Sequence, residues 1–130
     1  MKKAVLVEKA PKPVGPYSQA ICVEGWLFIS GQIPIDPATG SILAGDFKAS
    51  AERVLANIKE IVEGAGGTMD SIVKVTVYLK DLSKFQEFNE VYSKFFKQPY
   101  PARSVVQVEA LPRNADLEVE AIAWLGKCPE

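Results

Sequence analysis

The chain has 130 residues, 48% of them hydrophobic and 24% charged, and its 15 basic and 16 acidic side chains leave a net charge of −1. That composition supports a globular protein with a real core, and its balanced charge gives no footprint for a phosphate backbone, so nucleic acid is not expected as a partner. Histidine is absent altogether, which removes the usual triad base, the commonest metal ligand and the usual neutral-pH proton shuttle; no metal site is expected from what remains.

Residues 4–7 read as a first strand. Pro11, Pro13, Gly15 and Pro16 then force an irregular loop that carries Tyr17 and Ser18. Residues 19–23 and 26–30 are β-rich and separated by Glu24-Gly25, the spacing of a hairpin. At the end of the second run, Ser30 offers a hydroxyl, and Gly31 lets a ligand approach the backbone. Pro34, Pro37 and Gly40 mark a turn region.

From 46 to 65 the apolar residues Phe47, Val54, Leu55, Ile58, Ile61 and Val62 recur every three or four positions, which predicts a helix with one buried stripe. Gly64, Gly66 and Gly67 follow that helix and precede a strand, so they read as a helix cap and not as a phosphate loop. Residues 72–79 form a β-branched strand. Ser83 and Gln86 resemble a capping box for a second helix bearing Phe85, Phe88, Val91, Tyr92, Phe95 and Phe96, a stripe that reads as core. Gln98-Pro99-Tyr100-Pro101 stops this helix, and strands are expected over 103–108 and 117–125.

The order predicts one α+β domain over 1–130, a mixed six-stranded sheet with two long helices on one face. Trp26 and Phe28 alternate with Leu27 and Ile29, and Thr76 and Tyr78 with Val73, Val75 and Val77. On the last strand Glu118, Glu120, Ile122 and Trp124 oppose Leu117, Val119, Ala121, Ala123 and Leu125. Both faces thus carry apolar bulk, and the uncovered one is expected to be buried against copies of the chain.

No run approaches a membrane span and no signal peptide is seen, so a cytoplasmic protein is expected. Cys22, in a strand, and Cys128, near the tail, have no paired spacing; they read as a buried thiol and a tail residue in a reducing compartment, not as a disulfide.

Arg103 opens a strand directly after Pro101-Ala102, where it reads either as an ordinary edge arginine or as a rigidly held guanidinium that can grip a carboxylate through two parallel hydrogen bonds. Glu118 and Glu120 share one face of the last strand. They would lie near the Arg103, Val105, Gln107 face if the two strands pair as a hairpin, and a salt bridge to Lys74 is an alternative use for either. Burial would raise the pKa of Glu118 and a nearby arginine would lower it; the residues alone leave the winner open.

Gly15-Pro16-Tyr17-Ser18-Gln19-Ala20, Ser30-Gly31-Gln32-Ile33-Pro34, Asn89, Pro101-Ala102-Arg103-Ser104 and Leu117-Glu118-Val119-Glu120-Ala121-Ile122 together resemble the reactive intermediate deaminase A (RidA, or YjgF) family over almost the whole chain. The resemblance implies a chorismate-mutase-like fold and a homotrimer with a central barrel-like sheet and three intersubunit clefts for small 2-imino and 2-keto acids. It implies hydrolysis of 2-iminobutanoate and 2-iminopropanoate to 2-keto acids and ammonia without a cofactor, protecting pyridoxal-phosphate enzymes. It also implies that Arg103 binds the substrate carboxylate and that Glu118 handles the attacking water. Ser30, the Gly31 amide and Asn89 would line the cleft, with Tyr17 closing it from the neighbouring subunit. Many relatives carry a cysteine where this chain has Val105, so only a backbone contact is expected there. Two other readings remain: a noncatalytic trimer that binds carboxylates or acts as a chaperone, and a translation-inhibiting endoribonuclease, which should need a basic stripe.

Overall fold

Glu24 and Gly25 turn the chain back on itself with φ of 53° and 86°, the positive values that a two-residue hairpin turn demands. They join strand β2 (Ala20–Val23) to β3 (Trp26–Gln32), with Ala20 opposite Ile29 and Val23 opposite Trp26, as the spacing predicts. The computed structural model describes Met1–Glu130. A short β1 (Lys3–Val5) pairs outside β2 and ends two residues before the expected limit.

Helix α1 (Phe47–Gly64) begins at Asp46, whose side chain accepts a hydrogen bond from the Ala49 amide at 3.2 Å. It ends where Gly66 takes a φ of 100° and the Gly67 amide returns to the Val62 carbonyl at 2.9 Å. Its stripe of Val54, Leu55, Ile58, Ile61 and Val62 is buried; cutting any of the larger ones to alanine should cost about 2–5 kcal/mol. Strand β4 (Ile72–Leu79) has the predicted limits. The second helix starts differently from expectation. Asp81, not Ser83, supplies the cap, accepting from the Ser83 amide at 2.9 Å, and a 3-10 turn over Leu82–Lys84 leads into α2 (Phe85–Phe95). Strands β5 (Ala102–Gln107) and β6 (Leu117–Trp124) complete the sheet.

The strand order is β1-β2-β3-β6-β4-β5. All neighbours are antiparallel except β4 and β5, whose parallel pairing uses α2 as the crossover. Both helices lie on one face, over the 25-residue core that takes in Leu27, Ile29, Val75, Val77, Leu79 and the odd-numbered residues of β6. Gln19, almost completely buried, ties the proline-rich loop to this frame: its side chain accepts from the Val7 amide at 2.8 Å and donates to the Pro11 carbonyl at 3.0 Å. Asn57 of α1 holds the following turn region by donating to the Ile35 carbonyl at 3.0 Å.

The opposite face remains open in one chain. Trp26, Phe28 and Trp124 are 41–45% exposed there, the two indoles in contact with centroids 4.8 Å apart. Val73 joins the exposed set because a register shift between Ile72 and Lys74 breaks the alternation expected for β4.

Two expectations fail here. The segment after β5 is not a hairpin loop: it carries the chain past β4, so that β6 enters the sheet between β3 and β4. Nor are the cysteines free. Cys22 and Cys128 form a disulfide across 106 residues, with Cα atoms 5.8 Å apart. After β6 the chain turns at Gly126 (φ 83°) and its tail returns over β1 and β2, which brings together two cysteines that sequence spacing separates. The inference from unpaired cysteines to a reducing compartment falls with that pairing.

Candidate functional site

Glu118 and Arg103 occupy opposite faces of the sheet. Glu118 stands opposite Tyr78 on the open face, whereas Arg103 lies beside Val75, whose side chain is buried under the helices. With β4 between them, the proximity expected from a β5–β6 hairpin does not occur within one chain. Lys74 makes no ion pair with either glutamate; its amine donates to the Ser104 hydroxyl at 3.0 Å.

The first half of the site is a cleft of about 460 Å³ lined by Tyr17, Ser30, Gly31 and Glu118, with Lys12 and Arg113 also on its wall. Between Ile29 and Gln32 the pairing of β3 with β6 shifts register, and into the resulting space the Glu118 side chain folds over Gly31. A Cβ placed on Gly31 would lie 1.9 Å from Glu118 Oε2 and 2.7 Å from its Cδ, so the carboxylate can take this position only over glycine. The Ser30 hydroxyl donates to the Ser18 carbonyl at 2.6 Å and thereby pins the loop that presents Tyr17. Tyr17 itself is half-exposed. Buried Gln32 donates back to the Ser30 carbonyl at 3.1 Å.

Partial burial pushes the Glu118 carboxyl above its ordinary range, and the negative charge of Glu120 pushes it further the same way. Within one chain, then, the question left by the sequence resolves upward, because Arg103 is on the far face. Glu120 is exposed and accepts from the Tyr78 hydroxyl at 3.4 Å.

The second half lies between α2 and the start of β5, where Asn89, Tyr92, Ser93, Tyr100 and Arg103 line a separate hollow. Arg103 packs over aromatic rings of α2, 4.7 Å from the Tyr92 centroid and 5.6 Å from that of Phe85. Its guanidinium makes no ion pair, and the arginine side-chain hydrogen bonds of the chain belong to Arg53 and Arg113. Val105 lies on the same strand, half-buried against the core, and lines neither hollow.

Val105 apart, the predicted site residues fall into two groups with no member in common. Tyr92, Tyr100, Lys12 and Arg113 were not singled out by the sequence as site residues. Tyr92 was hidden in a stripe that is otherwise core; Arg113 has a left-handed φ of 55° that nothing in its local sequence demands.

A profile of the Endoribonuclease L-PSP family matches residues 7–125. The chain belongs to this family. Among family relatives, a RutC family protein of Pyrococcus abyssi is 54% identical over 123 residues, covering 95% of this chain and 97% of its own. The human 2-iminobutanoate/2-iminopropanoate deaminase is 40% identical over 126 residues, covering 97% and 92% respectively. In the solved structure of RidA from a Psychrobacter species the fold recurs with a TM-score of 0.90 at 46% identity, over 94% of this chain and 98% of that one. The RidA-type family membership and mixed six-stranded sheet that the sequence implied are both borne out.

Proposed function

We propose that the protein hydrolyses 2-imino acids such as 2-iminobutanoate and 2-iminopropanoate to 2-keto acids and ammonia, in clefts completed between copies of the chain in a homotrimer. The observation that carries this reading is the division just described: a guanidinium with no partner of its own and a carboxylate with raised proton affinity face different sides of one chain, and a second copy is needed to bring them together. The human relative named as a deaminase supports the choice of substrate.

In this reading Arg103 of one subunit grips the substrate carboxylate through two N–H groups, beside Asn89 and the Val105 backbone. The neighbouring subunit presents Glu118, the Gly31 amide and Ser30, and its Tyr17 closes the cleft. A protonated imine is already electrophilic, so the step needs mainly orientation and a placed water. Glu118 takes a proton from that water as its oxygen bonds to C2. That proton passes to the nitrogen; as the C–N bond breaks and the C2–O bond becomes the carbonyl, the remaining hydroxyl proton goes by way of Glu118 to the departing ammonia, so that a keto acid and ammonium leave and Glu118 is ionised again. Within its own chain Glu118 is raised above the ordinary glutamate value, the direction that suits a base at neutral pH, and the neighbouring guanidinium pulls the other way. Removing such imines would protect pyridoxal-phosphate enzymes from attack.

The test is imine trapping. A dehydratase generates 2-iminobutanoate in the presence of semicarbazide, and added protein should suppress semicarbazone formation while Arg103→Ala and Glu118→Gln do not. A Glu118→Gln variant that suppresses like wild type would mark a noncatalytic carboxylate binder. RNA cleavage, the activity in the family's description, is the second reading; it is sustained only if cleavage follows the purified assembly and vanishes with Arg103→Ala.

A further inference from the structure

A binding arginine must be held in place without losing its charge. A carboxylate partner would fix Arg103 but neutralise it; an aromatic face fixes the guanidinium and leaves its in-plane N–H donors for a ligand. Tyr92 offers that face at 4.7 Å. The ring is itself immobile: the residue is 6% exposed, stacked on Phe96 with centroids 4.4 Å apart and packed on Phe88 at 5.6 Å.

The packing does not account for the tyrosine hydroxyl. It is buried and has no hydrogen-bond partner, a costly state that a phenylalanine would avoid. Above the same ring lies a guanidinium with five donors and no acceptor in the chain.

We propose that Tyr92 is a positioning residue, its ring setting the plane of the Arg103 guanidinium and its hydroxyl accepting one guanidinium N–H when the other edge grips a carboxylate. Burial pushes the Tyr92 hydroxyl up to about 12, against the opposing pull of Arg103, so at neutral pH it remains an uncharged acceptor that does not compete with an anionic ligand. Phe85, its ring centroid 5.6 Å from the guanidinium carbon, limits how far the guanidinium can swing.

This inference rests on the reading of Arg103 as carboxylate anchor, and the experiment separates the two. Binding of 2-ketobutyrate to the assembled protein is measured by calorimetry for wild type, Arg103→Lys, Tyr92→Phe, Tyr92→Leu and the Arg103→Lys/Tyr92→Leu double variant. Tyr92→Phe should bind about 3-fold more weakly with an unchanged or higher Tm, since no bond within the fold is lost. Tyr92→Leu should lose about 10-fold or more, appearing in turnover as a raised KM with little change in kcat. The double variant should bind no more weakly than Arg103→Lys alone, because Tyr92 acts through the guanidinium. Additive losses, or a Tyr92→Phe affinity equal to wild type, would overturn the proposal even where Tyr92→Leu fails to assemble. Absence of binding by wild type, or full affinity in Arg103→Lys, would instead overturn the anchor reading.

Discussion

The two halves of the proposed cleft are built in opposite ways. Glu118 projects from β6, a strand with neighbours on both sides, and its carboxylate is lodged over Gly31 where a bulge opens β3. Arg103 projects from the edge strand β5 onto aromatic rings, with no polar group of the chain to hold it. The first half fixes a carboxylate by steric fit and backbone register; the second holds a cation over aromatic rings and leaves its donors free. In the proposed reaction neither half suffices alone.

The largest test of that division is complementation. Arg103→Ala and Glu118→Gln should each lower kcat/KM by about 10²–10⁴-fold, the ordinary worth of a positioned acid–base or anchoring group. Refolded together in equal amounts, they should regain about a quarter of wild-type activity. Random mixing makes roughly three trimers in four mixed, and in each of these one cleft in three combines an intact arginine with an intact glutamate. Failure of the mixture to recover while light scattering reports mixed trimers would place both residues in one chain's site and break the comparison.

Next in size is an effect that should spare both halves. Neither cysteine lines either hollow, yet their disulfide closes a separation of 106 residues. Cys22→Ala should lower the unfolding free energy by about 2–5 kcal/mol and leave kcat/KM unchanged. Denaturant curves with and without reductant check this: reductant should shift wild type toward the variant and leave the variant where it is.

Much of this architecture was legible in the sequence, for local reasons. Glu24-Gly25 specifies its turn by backbone conformation, and the stripe of α1 specifies its buried face by period, so both appear as read. The halves of the site were legible as residues but not as places. Strand pairing is a long-range property: residues 109–116 have the length of a hairpin loop, yet they deliver β6 to the middle of the sheet. Tail cysteines give no local sign of their partner, and the bulge that exposes Val73 leaves the β-branched pattern intact. Tyr92 looks like every other aromatic of its stripe until Arg103 is found above it.

Gly31→Ala probes the steric half directly. The new methyl group would meet Glu118 Oε2 at 1.9 Å, so the carboxylate must move while the half-buried strand end has room to remain folded. Displacing a catalytic group by about an ångström costs up to about 100-fold. We expect kcat/KM to fall about 10–100-fold, with binding of 2-ketobutyrate, assigned in the proposed function to Arg103, much less affected. A parallel loss of binding would mean that the Gly31 backbone and not Glu118 carries the effect.

The smallest effect concerns protonation. Glu118 must be ionised to accept a proton, so the rate should fall as pH drops through its pKa, and both burial and Glu120 move that pKa upward. Glu120→Gln removes the like charge but not the burial. The acid limb of kcat/KM should therefore move to lower pH, without reaching the position of a freely solvated glutamate, because desolvation is the larger cause and remains. Arg103→Lys, by loosening the neighbouring cation in the assembled cleft, should move the same limb the other way. The paired shifts separate a carboxylate tuned within its own chain from one tuned across the subunit boundary. If only Glu120→Gln moves the limb, the guanidinium of the other half does not reach Glu118, and its part is confined to holding the substrate.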